Sequence, residues 1–152
     1  MLFNNYKAAI SILYYLLGAN NFAITGSLAD YMHLGEDVLI NDIDVIIVNE
    51  EILERLNPYF KLKKNKEINY PSIPHIKRVY VYNILNIKIE IFLNEKFNEI
   101  EKCSFSGLSI NFVNIIGRKK ELLNFIDLSK KQKDMVRIVK YNKKLKRYNL
   151  KK

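Results

Sequence analysis

Cysteine is almost missing from this chain: Cys103 is the only one in 152 residues. No internal disulfide can form, so a reducing, cytoplasmic setting is the expectation. A thiolate-rich zinc site is excluded as well, and His33 and His75, distant in sequence, do not make one by themselves. Tryptophan is absent altogether, while there are ten Tyr and many Asn, Lys and Ile, a bias that reflects an AT-rich genome more than chemistry. The three Pro and five Gly form no linker, and there are no internal repeats. Long apolar runs are lacking too. The longest candidate, Ala8 to Leu17, is too short to span a bilayer, and Gly18-Ala19-Asn20 is a poor signal-peptidase site. Ile10, Leu13, Tyr14 and Leu17 instead recur at helical spacing with Gly18 as the C-cap, so a core-facing helix is expected and no membrane partner.

Negative charge is lacking in one place only. Residues 130–152 hold eleven Lys or Arg against the single acid Asp134, a balance of +10 within a total of +9; the first 129 residues therefore sum to −1. Basicity belongs to the C-terminal segment. Such a block solvates a helix end or contacts a nucleic-acid backbone. The chain is long enough for one domain with a proper core, and its apolar content of 49% is ordinary for a globular protein. We read residues 1–129 as the core and 130–152 as a basic helical extension of the same domain.

Along the chain, Phe22 to Thr25 reads as a short buried strand. Leu28, Ala29, Tyr31 and Met32 give a short helix ending near Gly35, and Ile43 to Val48 is a β-branched core strand. Glu50 to Leu56 is a helical turn or two stopped by Pro58. Residues 61–76, with Pro71 and Pro74, read as a loop with at most one edge strand. Val79 to Ile84 and Ile87 to Phe92 form a hairpin turning near Leu85-Asn86, and Leu108 to Val113 is a further strand. Asn114 to Ile126 and Lys131 to Tyr141 are helices, the second with Met135, Ile138 and Val139 on its apolar face. The expectation is an α/β (α+β) domain: a mixed, partly antiparallel sheet flanked by helices, with a helical C-terminal segment.

Chemistry concentrates in Thr25-Gly26-Ser27-Leu28-Ala29-Asp30 and in Asn41-Asp42-Ile43-Asp44. Alternate residues of a strand share a face, so Asp42 and Asp44 lie side by side while Ile43 points away. Two carboxylates held together repel unless a cation sits between them, and hard oxygen ligands favour magnesium. Gly26 allows close backbone approach, and Ser27 adds a hydroxyl where a helix starts, which is a natural anion site. On the later strand Glu90 points away from Ile89 and Ile91, on the same side as Lys88. Beside the strand of Asp42 and Asp44 it would complete a three-carboxylate cluster able to hold two magnesium ions; otherwise Glu90 and Lys88 form a solvated pair.

Gly26-Ser27, fourteen residues, Asp42-Ile43-Asp44, and a later strand with one acid between apolar residues together resemble the polymerase-beta-type nucleotidyltransferase superfamily. The resemblance implies that Gly26 and Ser27 grip the triphosphate of an NTP, that Asp42 and Asp44 bind the metals, and that Glu90 is the third acid, where Asp is usual. A weaker match in the C-terminal part, Lys119 or Lys120 followed by Lys133-Asp134, resembles minimal transferases of the abortive-infection toxin kind. It implies that Lys120 neutralises phosphate and that Asp134 anchors a basic partner. The implied activity is magnesium-dependent transfer of a nucleoside monophosphate to a hydroxyl, with RNA such as a tRNA 3′ end as acceptor, or a protein side chain or small antibiotic instead. A rival is a catalytically weakened module of the same fold that binds nucleic acid or acts in a toxin–antitoxin pair.

The remaining polar residues are expected to be structural. Asp30 reads as a surface or capping acid, and His33 and His75 as ordinary polar residues. Lys77 and Arg78 belong to a hairpin edge. Ser104, Ser106 and Ser109 have no neighbouring base in sequence, so a serine nucleophile is not indicated.

Overall fold

The amphipathic run at the start folds as α1, Leu2–Leu17, with Ile10, Leu13 and Leu17 fully buried. Gly18 ends it in the left-handed region (φ 94°), its N–H reaching the Tyr14 carbonyl. The computed structural model describes residues 2–35, 37–97 and 99–151; Lys152 of the basic segment lies outside the described residues. The elements that follow are β1 (Ala23–Thr25), α2 (Gly26–Leu34), β2 (Ile43–Ile47), a 3₁₀ helix Glu50–Arg55, β3 (Leu62–Glu67), β4 (Ile76–Ile84) and β5 (Ile87–Asn94). Then come β6 (Ile100–Phe105), β7 (Leu108–Val113), α3 (Ile115–Lys131) and α4 (Met135–Leu150).

The strands form one mixed sheet in the order β3-β4-β5-β2-β1-β7-β6. β2 pairs antiparallel with β1 and parallel with β5, and β1 pairs parallel with β7; the remaining pairs are antiparallel. The β4–β5 hairpin turns at Leu85 and Asn86, both with positive φ, as a two-residue turn of matching twist requires. Alternation separates the two faces of the sheet. Ile43, Val45 and Ile47 of β2 and Ile87, Ile89 and Ile91 of β5 join α1 in the main core. Asp44 and Glu90 are therefore turned to the opposite face, where α3 and α4 lie.

One strand is unexpected, and two local readings are made definite. The edge strand β3 forms within the polar stretch, Glu50–Arg55 is a 3₁₀ helix, and β6 is a strand the sequence pattern did not reveal. The boundary drawn at residue 129 falls in the last turn of α3, and α4 runs on to Leu150 with Tyr148 completely buried. Among the described residues no helix is long and apolar enough to cross a membrane.

Candidate active site

The register of three neighbouring strands builds the site. Thr25 pairs with Asp44 across β1 and β2, and Asp44 pairs with Glu90 across β2 and β5. Adjacent strands are about 4.8 Å apart, so Asp44 and Glu90 are direct neighbours on one face. Asp42 lies just before β2, with the Lys88 ammonium 3.1 Å from Glu90 and 3.9 Å from Asp42. Lys88 thus lies beside both outer acids. Burial, then the Glu90 charge, push the Asp44 carboxyl up to about 8. Burial also raises Asp42; the opposing pull of Lys88 is outweighed with the help of Glu90.

Gly26 is fixed by this packing. It has φ 66°, and a Cβ there would overlap the Asp44 carboxylate, so a side chain is excluded both by backbone strain and by space. Ser27 opens α2, and its Oγ accepts from the Asn41 N–H at 3.1 Å. The Tyr6 hydroxyl donates to the carbonyls of Ile40 and Asn41. Together these bonds hold the segment that carries Asp42 against α1 and the start of α2.

Across from the acids, α4 turns Arg137, Lys140 and Lys144 into the same cleft, at helical spacing. The cleft has a volume of about 410 Å³ and is lined by Gly26, Ser27, Asp42, Asp44 and Glu90 among others. That volume is within the range of small-molecule sites. Glu121 of α3 also lines it, accepting from Thr25 Oγ1 at 2.5 Å and Arg118 Nη1 at 3.0 Å.

Two expectations are corrected here. Asp30 is not a surface acid: it is fully buried, bonded by Arg118 at 2.8 and 3.1 Å, by Lys144 at 2.8 Å and by the Tyr148 hydroxyl. Its partners come from helices 88 to 118 residues away, which a local reading cannot see. Lys120 does not line the cleft. It is exposed and paired with Glu99 at 3.1 Å, because the inward stripe of α3 is carried by Arg118, Glu121, Leu122 and Phe125. His33 is buried with Nε2 2.7 Å from the Val113 carbonyl, and Asp134 caps α4 through the Arg137 N–H. The residues the sequence reading missed are Glu121, Arg137, Lys140 and Lys144. The three basic residues have a signal in retrospect, their three- and four-residue spacing within the basic segment.

Among the described residues no three His, Cys, Asp or Glu side chains converge closely enough to hold a metal ion as they stand. The donor set nonetheless fits a hard divalent cation. Its acids are oxygen donors, and the Lys88 ammonium already lies beside Asp42 and Glu90 as a positive charge between them.

No protein-family model matches the chain, and no curated protein matches it in sequence. Solved structures do match in fold. TM1012 from Thermotoga maritima, a nucleotidyltransferase candidate, superposes with TM-score 0.67 at 18% identity, over 86% of this chain and 90% of its own. An antigenic nucleotidyltransferase-like protein from Paracoccidioides brasiliensis gives 0.58 at 13%, over 95% and 75%. ANT(2″)-Ia, in complex with adenylyl-2″-tobramycin, gives 0.58 at 9%, over 97% and 85%. Superposing on these structures over most of its own length and theirs, the chain has the nucleotidyltransferase superfamily fold.

Proposed function

We propose that this protein is a magnesium-dependent nucleotidyltransferase that moves a nucleoside monophosphate from an NTP to a hydroxyl and releases pyrophosphate. The observation that carries the reading is the Asp44–Glu90 register, with Gly26 packed on the Asp44 carboxylate and a basic helix face opposite. Asp42, Asp44 and Glu90 would hold magnesium, which when bound neutralises triphosphate charge and lowers the pKa of the acceptor hydroxyl. Gly26 and Ser27 take the β- and γ-phosphates with the N–H groups at the start of α2. Arg137 and Lys140 neutralise phosphate from α4, a role we assign to them in place of Lys120. The acceptor oxygen forms its bond to the α-phosphorus as the bond to the bridging oxygen breaks. Pyrophosphate leaves with the electron pair, and Glu90 takes the acceptor proton.

For the acceptor, the exposed cations of α4 favour RNA such as a tRNA 3′ end. A small antibiotic is the second reading; ANT(2″)-Ia, which shares the fold at 9% identity, was solved in complex with adenylyl-2″-tobramycin. The test is incubation with each labelled NTP, magnesium, and separately total RNA, total protein and an aminoglycoside. Label should enter one pool and be absent with the Asp42→Asn, Asp44→Asn double variant. Unchanged labelling by that variant would sink the assignment, and magnesium-independent RNA binding with no NTP effect would favour the non-catalytic module.

A further inference from the structure

The acid cluster has a second flank, on the sheet itself. Register across β3, β4, β5, β2 and β1 runs Lys64–Val81–Glu90–Asp44–Thr25, and beside it Lys66–Val79–Phe92–Ile46. Side chains in one such row share a face, so Lys64 and Lys66 stand on the side that carries the acids. Lys64 is two strands from Glu90, about 10 Å. Ile68, one alternation beyond Lys66, lines the cleft, as that orientation requires. The placement depends on a β-bulge. Leu62 pairs with Tyr82 and packs on the main core, and plain alternation would turn Lys64 to that same core side. The register shifts between Leu62 and Lys64, and the extra residue turns the rest of β3 over. Lysine protects an edge strand from pairing on either face, so edge protection does not account for the turn. On the other face Arg78 donates to Asn65 at 2.9 Å and pairs in register with Glu67. Lys64 and Lys66 are exposed, and among the described residues neither forms an ion pair. Asn83, also exposed, extends this shelf on the Glu90 side, where it pairs with Lys88 across β4 and β5.

The two ends of the row differ in chemistry. Gly26 and Ser27 lie at the β1 end, and on the proposed reading pyrophosphate departs there. An in-line displacement brings the acceptor from the opposite side, which is the β5–β4–β3 flank. We propose that this shelf seats the 3′ end of a single-stranded RNA, with backbone phosphates on Lys64 and Lys66 and a 2′-hydroxyl against Asn83. The inference rests on the nucleotidyltransferase reading of the adjoining acids and adds the seat of the acceptor. Lys64 and Lys66 are about 7 Å apart along β3, a spacing comparable with that of successive phosphates on an extended strand. An amide both donates and accepts, as a 2′-hydroxyl does, and that hydroxyl is what separates RNA from DNA. The same cations repel a polycationic aminoglycoside.

The test is fluorescence anisotropy of the full chain with a 5′-labelled oligouridylate and the matching oligodeoxyuridylate, across a salt series. Lys64→Gln with Lys66→Gln should weaken RNA binding at least about tenfold. It should also flatten the slope of log affinity against log salt by about 1.4, the value for two phosphates of a single strand. Lys102→Gln with Lys120→Gln removes the same charge, one at the far edge of the sheet and one paired with Glu99, and should change binding less than about twofold. The wild-type chain should prefer RNA to DNA at least about threefold, and Asn83→Ala should abolish that preference. Magnesium–NTP binding, followed by calorimetry, should be unchanged in every variant. Should the shelf variant fail to fold, lysine acetylation of the wild-type chain decides: RNA should protect Lys64 and Lys66 and leave Lys102 reactive. RNA binding unaltered by the shelf variant, or equal losses in both double variants, overturns the shelf and leaves the nucleotidyltransferase reading standing. DNA bound as tightly as RNA overturns the assignment to RNA. Shelf-dependent RNA binding without any magnesium-dependent NTP binding overturns the acceptor role together with the reading on which it rests.

Discussion

Asp44 shows how a single residue trades stability for a site. Its carboxyl is half-buried beside Glu90 and raised to about 8 from an ordinary 3.8. A carboxyl whose folded pKa exceeds its unfolded one stabilises the fold below the unfolded value and loses that contribution as pH rises toward the folded one. Metal-free protein should therefore lose stability between about pH 4 and 8. Asp44→Asn should remove that decline, gaining about 1–2 kcal/mol at pH 8 in urea titrations with chelator. The same variant should lose at least about a thousandfold in transfer rate, since the positioned charge is gone. A substitution that neither flattens the pH profile nor lowers the rate would remove Asp44 from the site. Asp44 and Gly26 were legible in the sequence because strand alternation and the Gly-Ser pair are local signals. Lys120 misled because neighbouring residues on one helix differ by about 100° in direction, and only the packing of Arg118 and Leu122 fixes which of them faces inward.

At the scale of elements, one buried acid ties α4 to α2 and α3. Burial works against Asp30 ionising, but Arg118 and Lys144 outweigh it and hold the carboxyl below its ordinary value. The stability from this group is present above the unfolded pKa and is lost as pH falls through the lower folded one. Asp30→Ala leaves Arg118 buried without its partner and should cost about 3–5 kcal/mol. Asp30→Asn should weaken the acid-side loss of stability below about pH 4, measured by thermal unfolding from pH 7 to 2. Elements with strong internal periodicity, such as α1 and the β4–β5 hairpin, are readable without tertiary information. The strand β6 is not, because Ile100-Glu101-Lys102-Cys103-Ser104-Phe105 is an edge strand mostly open to solvent and shows no alternation. The last turns of α4 were unreadable for a related reason: Tyr148 is buried against Asp30, 118 residues away.

For the whole molecule, the uneven charge takes on a different meaning once folded. The near-neutral first 129 residues carry the acids, and the +10 segment places Arg137, Lys140 and Lys144 opposite them, so two separate sequence features become two walls of one cleft. Magnesium–NTP binding should therefore weaken several-fold between 50 and 500 mM salt, followed by thermal shift, as screening reduces the attraction of the basic wall. Salt-independent binding would argue against phosphate contact with α4. The position of Lys88 carries one more consequence. On the proposed magnesium reading its ammonium would act as a resident placeholder, and cation binding would be an exchange rather than the filling of a void. Free magnesium would then have to evict a tethered competitor, and that competition would lower its affinity for the nucleotide-free protein. Lys88→Met should accordingly raise affinity for magnesium alone in calorimetry, whereas an unchanged affinity would mean the ammonium never blocked the ion. On that reading the lysine sets a threshold, with a weak response to the bare metal pool and a strong one to the ion that arrives with its nucleotide.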